Sequence, residues 1–141
     1  MATHGLSTFL GVNLVTPKGV VAHTDTDSVQ APGEQGEFEL LPGHVPLLTA
    51  LRPGVLRIGT KTPARYAVAN GYLRVDPAGS VEILVEQAMP EADVNADTAR
   101  EDLKNAEAEL AKWGDKPHDG DYENLVARAD WARARIQIVA H

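Results

Sequence analysis

The segment "EFELLPGHVPLL", residues 37–48, decides how the rest of the chain is read. Glu37 and Glu39 stand two apart, with Phe38 and Leu40 in the alternate positions. Successive side chains of a strand point to opposite faces, so the acids share one face and the apolar pair the other. Burying Phe38 and Leu40 leaves the glutamates outside. Pro42-Gly43 suits the central positions of a type II turn, where proline presets φ and glycine supplies the positive φ. His44 follows that turn with no second ligand beside it, so it reads as a structural or interface histidine. A strand entering a tight turn accounts for all twelve residues without an acid–base or metal site.

The same grammar extends over the first ninety residues. Short apolar runs ("FLGVNLV", "GVLRIG", "RYAVA", "YLRV", "VEILVE") alternate with Pro- and Gly-rich turns, as in a sandwich or small barrel. In "VEILVE", Val81, Ile83 and Val85 share one face, while Glu82 and Glu86 fall on the other with Leu84. Asn70-Gly71 predicts a type I′ turn that pairs its flanking strands as a hairpin. Asp76-Pro77-Ala78-Gly79 predicts a further turn into the next strand.

Near Pro90 the period changes from two to between three and four. Ala96, Ala99, Leu103, Ala106, Leu110 and Trp113 line one seam of a helix, with Asn95 or Asp93 as its cap. "GDKPHDG" (114–120) reads as a loop, and Tyr122, Leu125, Ala129, Ala132, Ile136 and Val139 form a second seam. The chain is therefore expected to be α+β: an N-terminal antiparallel β-sandwich or barrel over residues 1–90, then an antiparallel α-helical hairpin over 91–141. Acids dominate residues 91–123, whereas Arg128, Arg133 and Arg135 follow in 124–141. Those arginines suit the C-terminal end of a helix dipole or, on a second reading, an acidic partner surface.

Composition excludes several functions. A net charge of −7 argues against nucleic acid as the main partner. The absence of Cys removes disulfides, thiolate metal sites and thiol nucleophiles. The five histidines (His4, His23, His44, His118, His141) are too scattered to ligate a metal. No phosphate-binding glycine loop or nucleophile elbow is present. The N-terminus lacks the basic region of a signal peptide, and no apolar run approaches the roughly 20 residues that span a bilayer. A soluble chain without direct membrane insertion is expected.

"GEQGEFELLPGHVPLLTALRPGVLRI" closely resembles the signature of the epsilon subunit of F-type ATP synthase, the subunit called delta in mitochondria. "VANGYLRVDPAGSVEILVEQA" resembles that family's next segment, and the Ala-rich hairpin its C-terminal domain. The resemblance implies a non-catalytic rotor subunit of the central stalk, with no catalytic residue, no metal and no required cofactor. It would couple proton-driven rotation of the c-ring to ATP synthesis and inhibit ATP hydrolysis through its hairpin. By position, Glu37, Phe38 and Glu39 would face the c-ring loops, and His44, Leu48 and Thr49 the gamma subunit. Glu39 stands where many relatives carry glycine, which makes this surface more acidic. ATP would be a regulatory ligand held by Asp97 and Arg100 of "ADTARE" (96–101) with Arg135, although Ala96, Glu101 and Trp131 depart from the family's pattern. Arg128, Arg133 and Arg135 would meet the catalytic alpha/beta head when the hairpin extends. The implied location is peripheral, on the cytoplasmic face of the bacterial inner membrane. The residues by themselves leave a second reading open: a small β-barrel ligand-binding protein or enzyme with the hairpin as a lid.

Overall fold

A computed structural model describes residues 9–140 of the chain. His4, His141 and the opening segment "MATHGLST" lie outside the described residues. Ten strands come first: β1 (Leu10–Thr16), β2 (Gly19–Thr26), β3 (Val29–Gly33), β4 (Gly36–Leu40), β5 (Leu47–Leu51), β6 (Gly54–Ile58), β7 (Ala64–Val68), β8 (Gly71–Val75), β9 (Ser80–Val85) and β10 (Ala88–Pro90). A single 3-10 turn (Glu91–Asp93) leads to α1 (Ala96–Ala111) and α2 (Gly120–Val139). The expected β-sandwich followed by a helical hairpin is what the chain forms.

The strands run β2-β1-β9-β8-β5 in one layer and β4-β3-β6-β7-β10 in the other, joined where Gly33 of β3 meets Leu51 of β5. Every pairing is antiparallel except β1 with β9, which is parallel. Inward residues of both layers fill the space between them: Leu10, Val12 and Leu14 from β1, Leu56 and Ile58 from β6, Leu73 and Val75 from β8, and Val81, Ile83 and Val85 from β9. These branched side chains suit a pleated, buried surface, and their burial is the main source of stability. The barrel interior is thus packed with side chains.

Two turns carry instructive geometry. Gly43 takes φ +87°, and the His44 amide donates to the Leu41 carbonyl at 3.1 Å, as the Pro42-Gly43 type II turn requires. The expected Asn70-Gly71 hairpin is absent: β7 pairs with β6 and β10, and β8 pairs with β5 and β9. Neither Asn70 nor Gly71 has a positive φ. Gly71 is needed for a different reason. A Cβ there would lie 1.9 Å from the Leu84 carbonyl oxygen and 2.7 Å from the Val85 Cα. Asn70 accepts a backbone bond from Glu86, and Ala69 donates one to Gln87, so the chain crosses between layers in extended form.

The hairpin follows its seams. Asn95 caps α1 by accepting from the Thr98 amide at 3.0 Å, and Asp119 caps α2 through the Asp121 and Tyr122 amides. Ala99 and Ala106 of α1 are fully buried against α2, where small side chains bring the axes close. The loop is closed by aromatic contacts: Trp113 meets Tyr122 edge-on at 5.3 Å, and His118 stacks on Tyr122 at 3.7 Å. A second apolar face of α2, Trp131, Ala134 and Ile138, packs on Ala67 and Ala69 of the barrel. The helix therefore buries residues on two sides, one against α1 and one against the outer face of β6 and β7.

Candidate interaction surfaces

The outer faces of the two layers are treated differently. Residues of β7 that point away from the core, Ala67 and its neighbour Ala69 beyond the strand end, are covered by α2. On the opposite layer, the register aligns Val20 with Val15, Val15 with Leu84, Leu84 with Tyr72, and Tyr72 with Ala50. This makes an apolar row across five strands, on the face opposite the core. Tyr72 is 58% exposed, Leu84 52% and Val20 66%. Beside it runs a polar row, His23, Asn13, Glu82 and Arg74, ending at Leu48 of β5. His23 Nδ1 lies 2.5 Å from Asn13 Oδ1, and Arg74 pairs with Glu82. Cross-strand pairs hold such rows in register but do not remove them from water. A contiguous apolar patch of this kind on a folded chain marks an interaction surface.

Leu48 stands at the corner where this face meets the Pro-Gly turn. It is 68% exposed, and Leu41 and Val45 of the turn are exposed as well. Thr49, next along β5, alternates to the opposite face and is half-buried opposite Leu73. His44 is half-buried, and its Nδ1–H donates to the Val45 carbonyl at 2.8 Å, which orders the turn. Glu37 and Glu39 project from β4, and Phe38 packs partly into the core. Strand β4 pairs with β3 alone, so its acids decorate a sheet edge and discourage unwanted strand pairing. Glu37 also borders a cleft of about 360 Å³ between barrel and α2, which Arg52, Asp130 and Arg133 line as well.

On the hairpin, Asp97 and Arg100 pair on the solvent side at 3.4 Å. Arg135 is not with them. It is buried along the Trp131 ring and binds Asp102 of α1 at 3.0 Å and the Trp131 carbonyl at 3.4 Å. Arg133 reaches Glu107 at 3.1 Å and Asp130 at 3.0 Å, and Arg128 reaches Glu109 at 3.4 Å. The last turn of α2 holds no basic residue, so these arginines do not serve its dipole. They neutralise the acids of α1 across the hairpin instead, a pairing that helical seams alone did not reveal. Exposed pairs of this kind are each worth little. The partly buried Arg135–Asp102 pair fixes the rotation of α2 against α1.

Among the described residues, no group of three or more His, Cys, Asp or Glu could hold a metal, and no helix is long and apolar enough to cross a membrane. Leu48, named from the sequence, is exposed at this corner, but sequence reading missed Val15, Val20 and Tyr72 as partners in one row. The signal lay in the polar-side positions of the strands, where Leu84 already stood out beside Glu82 and Glu86.

Comparison with known proteins agrees with this architecture. The family described as "ATP synthase, Delta/Epsilon chain, beta-sandwich domain" matches residues 9–91. "ATP synthase epsilon chain 2" of Syntrophotalea carbinolica is 35% identical over 130 residues, covering 92% of each chain. The "ATP synthase epsilon chain" of Geobacter sulfurreducens is also 35% identical over 130 residues, again covering 92% of each. The fold is similar to a chain in the cryo-EM structure of the Euglena gracilis mitochondrial ATP synthase, with TM-score 0.79 at 16% identity, over 100% of this chain and 87% of that one. It is similar too to a chain in the central stalk and c-ring structure of the Tetrahymena thermophila enzyme, with TM-score 0.60 at 19% identity, over 93% and 95%. The chain belongs to the family of F-type ATP synthase epsilon chains.

Proposed function

We propose that this chain is a non-catalytic rotor subunit that couples c-ring rotation to ATP synthesis in the catalytic head. The observation that carries the reading is the bare apolar row Val20, Val15, Leu84, Tyr72, Ala50 on a member of this family. Such a face needs a fixed partner, and the gamma subunit of the stalk would be that partner. His44, Leu48 and Thr49 extend that contact around the corner of β5, with Leu48 as its apolar anchor. Glu37, Phe38 and Glu39 form an acidic edge whose partner would be the polar loops of the c-ring. The subunit would sit peripherally at the cytoplasmic face of the bacterial inner membrane, held by its partners rather than by lipid.

The hairpin is the regulatory element in this reading. Docked on the barrel, it leaves hydrolysis free. Extended towards the alpha/beta head, it offers Arg128, Arg133 and Arg135 once their pairs with Glu109, Glu107 and Asp102 are exchanged for acids of the head. ATP would bias the balance through Asp97, Arg100 and Arg135, provided Arg135 turns away from Asp102. A ligand shifts such an equilibrium only by its differential affinity for the two states. Calorimetry on the full chain tests this: heat at millimolar ATP, lost in the Asp97→Ala, Arg100→Ala double variant, supports the site, and no heat removes it.

The function itself is tested by reconstitution into an ATP synthase lacking this subunit. The full chain is expected to restore proton-coupled synthesis and to inhibit hydrolysis. A chain truncated after Pro90 should restore coupling without inhibition. Failure of both forms to bind the complex contradicts the rotor assignment, and equal inhibition by both removes the regulatory role of the hairpin.

A further inference from the structure

The cleft of about 360 Å³ between the barrel and α2 is organised, on the barrel side, around Pro32 of β3. Glu37 of β4 is the cross-strand partner of Pro32, and the Arg52 amide donates to the Pro32 carbonyl at 2.9 Å. Neighbouring strands lie about 4.8 Å apart, so an acid and a base flank one buried proline from either side. Gly54 lies against the same ring, where a Cβ would come 2.8 Å from the Pro32 Cβ. With Val55 these residues give the cleft an apolar floor. Asp130, Arg133 and Gln137 of α2 follow one another at spacings of three and four, so they share the stripe of the helix that borders it.

The charges of the cleft are not all engaged. Arg133 is held by Asp130 and by Glu107 of α1. Among the described residues, neither the Arg52 guanidinium nor the Glu37 carboxylate takes part in a hydrogen bond or an ion pair. Two arginines and two acids make the lining neutral overall, yet one charge of each sign stays open on the barrel wall. A polyanion would be repelled by Glu37 and a simple cation by Arg52. A molecule with one carboxylate and one ammonium meets both, and the planar guanidinium suits the carboxylate. The volume is that of a small-ligand pocket. Asp97, Arg100 and Arg135 do not line this cleft: the first two pair on the solvent side of α1, and Arg135 turns to Asp102.

We propose that this cleft binds a small zwitterion of the free α-amino acid type. Its carboxylate lies on Arg52, its ammonium on Glu37 and its apolar side chain on Pro32 and Val55. The site is a property of the isolated chain and does not rest on the stalk assignment.

The test is a titration of the full chain with L-leucine, followed by NMR shifts of the backbone amides. Isocaproate, which lacks the ammonium, and isoamylamine, which lacks the carboxylate, are titrated in parallel. Exposed charges are screened, so a dissociation constant on the order of 1 mM is expected for leucine. Saturable shifts should centre on the Arg52, Gly54 and Gln137 amides. Each analogue should bind about fivefold more weakly, the upper end for an exposed ion pair. Arg52→Gln should weaken leucine by the same factor and leave isoamylamine unchanged. Glu37→Gln should weaken leucine and leave isocaproate unchanged. Lys61→Gln, on a cation outside the cleft, should change nothing. Absence of saturable shifts at the cleft overturns the proposal, as does equal affinity for leucine and either analogue. Wild-type leucine binding in both cleft variants overturns it too, and so does equal weakening by Lys61→Gln. ATP shifting the cleft amides at lower concentration than leucine would also overturn it, since a polyanion would then be the better ligand.

Discussion

The two outer faces of the sandwich present opposite solutions to the same problem. The β6–β7 face sets the small Ala67 and Ala69 beside Val55 and Met89, and α2 approaches until Trp131 and Ile138 are buried. The β8–β9 face carries Tyr72 and Leu84, large side chains that the chain leaves in water. Small side chains at Ala67 and Ala69 thus let the chain's own helix close one face, whereas Tyr72 and Leu84 stay exposed on the other. Apolar character alone does not distinguish them.

The comparison can be broken most forcefully at Gly71, where the start of β8 lies close against the backbone of its neighbour β9. With a Cβ 1.9 Å from a backbone oxygen, Gly71→Ala should destabilise the chain by about 4 kcal/mol or more, or prevent folding, as measured by denaturant unfolding. The next largest effect belongs to the covered face. Trp131→Ala should cost about 3 kcal/mol in the isolated chain, seen as early loss of hairpin protection in hydrogen exchange while β9 stays protected. Overpacking sharpens the point: Ala67→Leu should cost about 1–3 kcal/mol by the same measurement, because a helix already occupies the space. On the bare face, Leu84→Ala should leave stability within about 0.5 kcal/mol, since the side chain loses little burial. Smallest of all, Glu107→Ala should change unfolding by about 0.5 kcal/mol, as an exposed pair in a screened setting.

Much of this was legible in the sequence, and the failures have physical causes. Period two in "VEILVE" and the Pro42-Gly43 turn gave the sandwich, and Asn95 announced α1. Asn70-Gly71 misled because glycine answers two different needs, a positive φ or a close backbone approach, and the letter does not say which. Only the distant Leu84 carbonyl decides between them. The parallel β1–β9 pair was invisible for the same reason: it joins segments far apart in the chain. The second face of α2 was present in the spacing of Trp131, Ala134 and Ile138. One complete seam, however, hid the other until the barrel was seen beside it. Rows across a sheet need register, so Tyr72 and Val20 could not be joined to Leu84 in advance. The extent of the bare face came from the strand pairing.

The central claim is that the bare β8–β9 face, rather than the hairpin side, attaches this chain to its stalk. The direct test is the equilibrium affinity of the full chain for a central stalk lacking this subunit. It would be compared for wild type, the Tyr72→Asp, Leu84→Asp double variant, and a chain ending after Pro90. Two charges in a buried contact should weaken binding by about a hundredfold or more, with the unfolding midpoint of the isolated chain unchanged. The shortened chain should bind within a few-fold of wild type. Wild-type affinity in the double variant would contradict the account.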